Sequence, residues 1–406
     1  MKIMATIAEY NPFHKGHLFH LIQSKEKSSC THTMVLMSGD FVQRGTPAIA
    51  DKWTRTKIAL LNGVDLVCEL PFYAANQSAE FFARGALDIL NATHAVDFLS
   101  FGCEERTIEK LYEVAYRMVD ESDSFKTLLQ SRLKEGYSFA AARQYAVSKL
   151  YTVTIGEILS RPNNILAVEY LKSMIRTNSL IKPLGVQRKG ETYDANQWPP
   201  PSNYASATQI RKGLLDGLDV QPYLPYPLSH LENAIENAAS GIAKFDLALT
   251  TRLLQTSAVE LRHFPYVSEG IENRILKSLH HHQTLEDISK HVASKRMPES
   301  RIRRILTNFM LGMSVNLFNT AYSGEVQPYL RVLGFNKKGT EILNRIKNIS
   351  TIPRLTQLKK AKNILTENQY KLLEKDILAS NLYHLYFNPR FVYNEDYYRS
   401  PILIKQ

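Results

Sequence analysis

The sequence of 406 residues holds only three cysteines, Cys30, Cys68 and Cys103, which are scattered, odd in number and lack the short spacings that ligate metals. Their scarcity excludes a disulfide scaffold or a cysteine-based zinc fold and fits buried thiols in a reducing cytoplasm. Long hydrophobic runs are missing too. No apolar stretch reaches the roughly 18 residues of a membrane span, and no charged-then-apolar leader precedes Ile3, so no membrane association is expected. Internal repeats and low-complexity tracts are absent. Acidic residues nearly vanish from one long segment: Lys290 to Lys362 holds 15 basic residues against Glu299, Glu325 and Glu341. The rest of the chain is therefore close to neutral, although the formal net charge is +11. A concentrated excess of this kind is an electrostatic footprint for a polyanion, RNA or DNA.

What is present suffices for ordinary cores: 44% of the residues are hydrophobic, and the length suggests two domains. Apolar runs at Ile3–Ala8, Met34–Met37, Val64–Leu70, Val96–Phe101 and Leu184–Val186 read as strands. Helical spacing separates them near Thr54–Leu61, Ala79–Leu90, Ile108–Val119 and Asn163–Ile175. Strands alternating with helices predict a parallel sheet covered on both faces, with ligands at the carboxyl ends of its strands.

The first such end carries Ala8-Glu9-Tyr10-Asn11-Pro12-Phe13-His14-Lys15-Gly16-His17, followed by the helical spacing of Leu18, Phe19, Leu21 and Ile22. A helix start leaves backbone N–H groups free and presents the positive end of the helix dipole, which favours a phosphate. Gly16 allows close approach, and the imidazoles of His14 and His17 can donate to phosphate oxygens. Metal ligation or a plain helix surface are the alternatives for the pair. Ser206-Ala207-Thr208-Gln209-Ile210-Arg211 opens another helix with hydroxyls and a cation one turn on; alone it reads equally as a Ser-capped helix with an exposed Arg. Gly102 is either a close-approach or a turn glycine, Asn163 an N-cap or a nucleotide contact, and Arg188 a phosphate or base contact or a solvated charge. Residues 189–205, with Trp198-Pro199-Pro200-Pro201, form a stiff loop and candidate lid.

Beyond Leu218 the prolines Pro222, Pro225 and Pro227 mark a linker, and the remainder reads as helical without a further strand–helix alternation. Within it Arg301, Arg303 and Arg304 interleave with Ile302, Ile305 and Leu306, a candidate RNA-binding stretch. Consecutive His280-His281-His282 do not share a helix face, so no metal site is expected.

Taken together, the stretch Glu9–His17, Met37-Ser38-Gly39, Gln43-Arg44-Gly45, Lys52-Trp53, Gly63–Val67, Glu69-Leu70-Pro71, Pro162–Leu166 and Ala205–Arg211 resemble the tRNA(Met) cytidine acetate ligase family, within the HIGH superfamily of nucleotidyltransferases. The resemblance implies an α/β fold: a Rossmann-like parallel-sheet nucleotidyltransferase domain over 1–218, then a basic, mainly α-helical domain over 219–406 that would bind tRNA. It also implies activation of acetate with ATP to acetyl-adenylate, and transfer of the acetyl to N4 of the wobble cytidine, position 34, of elongator tRNA(Met). ATP contacts would be Ile7, Ala8, Glu9, Tyr10, Asn11, Pro12, Phe13, His14, Lys15, Gly16, His17, Leu18, Phe19 and His20, then Gly102, Asn163 and Arg188. Catalysis would fall to His14, His17, Ser206, Thr208 and Arg211, with Mg²⁺ carried on the ATP phosphates and no protein metal site. Asp40 receives no role.

Two other readings use parts of the same sequence. A small-molecule adenylyltransferase leaves the basic segment unexplained, and a non-catalytic RNA-binding protein leaves both phosphate motifs idle. Acetate-dependent ATP–pyrophosphate exchange and tRNA binding separate the three.

Overall fold

The computed structural model describes residues 1–405 apart from Arg106, Thr152, 189–197, Pro199 and 201–203. Its centre is an eight-stranded sheet of β1 (Ile3–Ala8), β2 (His32–Ser38), β3 (Leu66–Leu70), β4 (Phe98–Cys103), β5 (Lys182–Gln187), β6 (Leu330–Phe335), β7 (Arg354–Leu355) and β8 (Ile402–Leu403). The order is β8-β6-β3-β2-β1-β4-β5, with β7 also pairing β6. β1 runs parallel to β2 (Ile3 opposite His32, Ala8 opposite Met37) and to β4 (Thr6 opposite Ser100). β4 runs parallel to β5 from Phe98 opposite Lys182 to Cys103 opposite Gln187.

Parallel strands need crossovers, and helices α1 (Lys15–Ser28), α2 (Lys52–Leu61), α3 (Ala79–Thr93), α4 (Ile108–Val119) and α5 (Pro162–Arg176) lie within them. Alternation along β2 sends Met34 and Leu36 into one core and Val35 and Met37 into the other, so both faces are covered. Chain order reverses between β1 and β4, and the crevice beyond their carboxyl ends is where such sheets bind ligands. The strands and helices expected in the first half are all found, with ends shifted by a few residues.

The second half departs from expectation. It is mainly helical, but β6 joins the sheet antiparallel to β3, and the helix Lys337–Ile349 connects it to β7, which pairs with β6 in parallel. The division at residue 218 is therefore not a division of the packing. Each core mixes both halves: Leu36 shares one with Phe245, Ile305 and Ile377, and Val67 shares the other with Leu231 and Leu333.

A buried charge knot ties the halves together. Lys52 Nζ lies 2.7 Å from Asp396 Oδ2 and 3.1 Å from Glu69 Oε1, while Arg331 reaches Glu69 at 2.8 Å and Asp396 at 2.9 Å. Arg331, counted with the polyanion-binding charges in the sequence, is only 2% exposed inside β6. Its charge is neutralised internally. Asp40, left without a role, is buried beside this knot and accepts a hydrogen bond from the Lys52 backbone N–H at 2.7 Å.

Candidate active site

The sequence after β1 folds into a helix start built from histidines. His14 is the N-cap of α1: its Nδ1 accepts from the Gly16 N–H at 3.0 Å, and His17 Nδ1 accepts in return from the His14 N–H at 3.3 Å. The reciprocal arrangement does the work of a capping box with imidazoles in place of hydroxyl and carboxylate. Their rings stack with centroids 3.8 Å apart. A Cβ on Gly16 would sit 2.8 Å from His14 Cε1, so the folded-back ring requires glycine there.

This cap assigns the tautomers. With each Nδ1 accepting from backbone, the ring proton of a neutral imidazole resides on Nε2, leaving one N–H donor per ring. Burial, reinforced by the charges of Arg188 and Arg211, pushes His14 down to about 3. Burial first, then His14, Arg188 and His20, hold His17 well below the ordinary imidazole range. Both are neutral donors near pH 7, and neither has a free acceptor nitrogen with which to act as a base.

His20, one turn further, is held differently. Its Nε2 lies 3.1 Å from Ser100 Oγ on β4, which meets Ser24 Oγ at 2.6 Å. It anchors α1 to the sheet. Burial and Arg188 lower it to about 4.

These shifts predict acid sensitivity. In the folded ligand-free protein the three histidines resist protonation, whereas unfolded histidines take up protons below about pH 6.5. Stability should therefore be fully present above pH 6.5 and fall as pH drops toward 4, by up to ~1.4 kcal/mol per pH unit per histidine. Urea denaturation at pH 7.5, 6 and 5 checks this. His20→Gln should flatten the decline, and an unchanged slope in that variant would refute the account.

The second motif meets the first directly. Ser206 caps α6 (Ala207–Leu215), its Oγ accepting from the Gln209 N–H at 3.2 Å while Gln209 Oε1 accepts from the Ser206 N–H at 2.9 Å. Both readings of Ser206 thus coexist: it is the cap, and its own O–H is a further donor. Arg211 Nη1 donates to the Asn11 carbonyl at 2.6 Å and Nη2 to Thr208 Oγ1 at 3.2 Å. One guanidinium joins motifs 200 residues apart. Asn11 in turn accepts from the Ile49 N–H at 2.8 Å.

The opposite wall comes from β4, β5 and α5. Arg188, just beyond β5, lies over Gly102, where a Cβ would stand 3.4 Å from its Cγ, and donates to Asn163 Oδ1 at 3.3 Å. Gly102 is thus a strand residue with a side chain against it and not a turn. Asn163 is not the N-cap of α5 either; that position is Arg161, whose side chain caps nothing. The missing cap is supplied by Glu104, which accepts from the Asn163 side-chain amide and from the N–H groups of Asn163 at 3.3 Å and Asn164 at 2.8 Å. Asn164 Oδ1 accepts from the Glu104 N–H at 2.8 Å in exchange. Glu104 therefore fixes the flip of the Asn163 amide, so that its oxygen faces Arg188.

Arg55 is the other residue that sequence reasoning missed. Buried on α2, it donates to the carbonyls of Ala50 at 2.8 Å, Glu9 at 2.7 Å, Ser38 at 3.0 Å and Gly39, clamping the loops that follow β1 and β2. The Glu9 carboxylate accepts from the Gln43 N–H at 3.0 Å, which draws the same loops together. In the candidate lid, residues 189–197, Pro199 and 201–203 lie outside the described residues, while the Trp198 ring rests 5.4 Å from that of Tyr223.

The expected RNA-binding arginines are not a free basic face. On α8 (Glu299–Met310, counting Glu232–Leu254 as α7), Arg301 donates to the Tyr266 carbonyl and Ser268 Oγ, both at 3.0 Å, and Arg303 pairs with Glu299 one turn back. Arg304 reaches the Gln43 carbonyl at 3.4 Å. Thr307 Oγ1 donates to the Gly45 carbonyl at 2.9 Å. Of the three guanidiniums Arg304 alone meets the Gln43–Gly45 loop; those of Arg301 and Arg303 have partners within the helical half.

A doubly wound sheet with a histidine-capped and a serine-capped helix start beside its switch point is the plan of a HIGH-type nucleotidyltransferase, and the HIGH Nucleotidyl Transferase family profile matches residues 1–397. The tRNA(Met) cytidine acetate ligase of Thermoanaerobacter sp. is 40% identical over 389 residues, covering 95% of each chain. That of Clostridium perfringens is 38% identical over 413 residues, covering 100% of each. Among solved structures, Thermotoga maritima TmcAL bound with alpha-thio ATP superposes with a TM-score of 0.89 at 29% identity over the full length of both chains. The chain belongs to the tRNA(Met) cytidine acetate ligase family.

Proposed function

We propose that this chain uses ATP to acetylate N4 of the wobble cytidine of elongator tRNA(Met), by way of acetyl-adenylate. The observation that carries the reading is the pair of cap-locked, neutral imidazoles facing the same cleft as Arg188 and Arg211. ATP phosphates lie at the mouth of α1, where the Nε2–H groups of His14 and His17, the Ser206 and Thr208 hydroxyls and the two guanidiniums meet their charge. An acetate oxygen attacks the α-phosphorus as the bond to the bridging oxygen of the β-phosphate breaks. Positioned donors neutralise the departing pyrophosphate, so no covalent enzyme intermediate is needed.

The cytidine amine is a weak nucleophile because its lone pair is delocalised into the ring, and the mixed anhydride makes the carbonyl reactive enough for it. N4 attacks that carbon, AMP leaves with the anhydride oxygen, and the amine loses one proton. Cleft donors are imidazole, guanidinium and hydroxyl, a set suited to anionic oxygens and not to a cation. Mg²⁺, in this reading, travels with the ATP phosphates. No helix among the described residues is long and apolar enough to cross a membrane. The reading places the reaction in the cytoplasm, with ATP, acetate and tRNA.

Incubation with labelled acetate, ATP and total tRNA, followed by nucleoside mass spectrometry, tests this. Labelled N4-acetylcytidine in tRNA(Met) is expected without acetyl-coenzyme A. Acetylcytidine that forms only when acetyl-coenzyme A is supplied, or AMP found on the tRNA, overturns it.

A further inference from the structure

Arg301, Arg303 and Arg304 are engaged internally, and the C-terminal half offers another surface for a polyanion. A groove of about 510 Å³ opens between the helix Glu367–Phe387 and the segment 391–397, with Ile377, Leu378, Leu382, Leu385, Phe391 and Tyr393 among its walls. Its aromatic rings face outward: Phe391 is 39% exposed, Tyr393 69%, and the neighbouring Tyr398 70%. Single exposed side chains of this kind are ordinary, but exposed rings gathered beside an apolar groove mark an interaction site.

Cations border the neighbouring rings. Lys359 Nζ stands 5.3 Å from the Tyr398 ring, Lys362 Nζ lies 5.3 Å from the Tyr370 ring, and Lys360 and Arg390, next in sequence to Lys359 and Phe391, are exposed. Glu374 is the one carboxylate on the groove wall, and nearby Glu395 is neutralised by Arg399. The segment is also held in place. Asn394, in the left-handed region at φ 57°, accepts at Oδ1 from the Asn381 side-chain amide at 2.7 Å and donates its N–H to Asn381 Oδ1 at 2.8 Å. Tyr370 and Tyr397 share a hydroxyl hydrogen bond of 2.8 Å.

We infer that this groove docks unpaired nucleotides of the RNA substrate, with bases stacking on Phe391 and Tyr393 and phosphates meeting Lys359, Lys362 and Arg390. The inference rests on the tRNA reading above and adds a place for the RNA to it. Rigid aromatic faces beside a cationic rim suit single-stranded nucleic acid, because every base has a stacking face and every nucleotide a charge. A second copy of the chain fits poorly. A two-fold contact through this patch would set Lys359, Lys360, Lys362 and Arg390 against their own copies.

Fluorescence anisotropy with a labelled tRNA(Met) transcript across a salt series tests the site, with tRNA-free acetate-dependent ATP–pyrophosphate exchange as the control. The double variant Phe391→Ala, Tyr393→Ala should bind tRNA about 10- to 100-fold more weakly. Exchange should stay at the wild-type level. Tyr393→Phe keeps the stacking face and should keep the affinity. Lys359→Ala with Lys362→Ala should lower the salt slope by about one to two. Unchanged affinity in the double variant, with wild type binding tRNA, overturns the site while leaving the proposed function intact. A loss of self-association without loss of tRNA binding also overturns it, in favour of a contact between copies. Wild-type protein that neither binds nor acetylates tRNA overturns the function and the site together.

Discussion

His17→Ala and Arg211→Ala should each slow acetate-dependent ATP–pyrophosphate exchange by about 10²–10³-fold, the usual consequence of losing one preorganised donor to developing charge. His17 offers only Nε2–H to the cleft, because its Nδ1 is held by the His14 backbone. Removing it deletes a donor and half of a helix cap, and the cap alone is worth about 1 kcal/mol of stability. A thermal melt run beside the exchange assay separates the two effects. Arg211 has a second duty, since its bond to the Asn11 carbonyl sets the distance between the two phosphate motifs. Arg211→Lys should therefore recover little activity, because an ammonium cannot span Asn11 and Thr208 as the planar fork does. Near-normal exchange in both alanine variants would remove these residues from the chemistry.

Asp396→Ala should destabilise the protein by about 3–5 kcal/mol, enough to unfold a marginal protein, because it leaves Lys52 and Arg331 buried with Glu69 shared between them and Asp40 3.9 Å from Lys52. Burial alone would raise the Asp396 carboxyl, but Arg331 and Lys52 hold it far below the usual carboxylate range. Asp396→Asn keeps the shape and some hydrogen bonds and should cost less. Urea unfolding at pH 7.5 measures both variants. A loss below about 1 kcal/mol for the alanine would show that water or rearrangement replaces the missing charge.

The two helix starts of the candidate site were legible in the sequence because their signals are local. A strand, an Asn-Pro turn and a His-Lys-Gly-His helix start occupy consecutive positions, and Ser206–Arg211 repeats the logic at a second helix. Glu104 and Arg55 could not be seen in this way. Glu104 caps a helix that begins 58 residues later, and Arg55 looks like any exposed arginine until the carbonyls of Glu9, Ser38 and Gly39 close around it. The strand Leu330–Phe335 was hidden by its surroundings: Arg331 and the lysines after it made an apolar run look like part of a basic surface. The internal partners of Arg301, Arg303 and Arg304 were hidden for the same reason, because a count of charges does not distinguish a solvated guanidinium from one that faces a carbonyl.

The antiparallel seat of β6 and the late arrival of β8 bear on how the chain is made. During synthesis β1 to β5 emerge first and can pair in parallel, yet the free edge of β3 stays open until Leu330–Phe335 leaves the ribosome. Glu69, already beside Lys52, then waits for Arg331 on that incoming strand, and Lys52 still longer for Asp396. The nascent N-terminal half thus carries an unpaired strand edge and an unfinished charge knot through most of translation, a stage at which a holding chaperone would have a defined surface to cover.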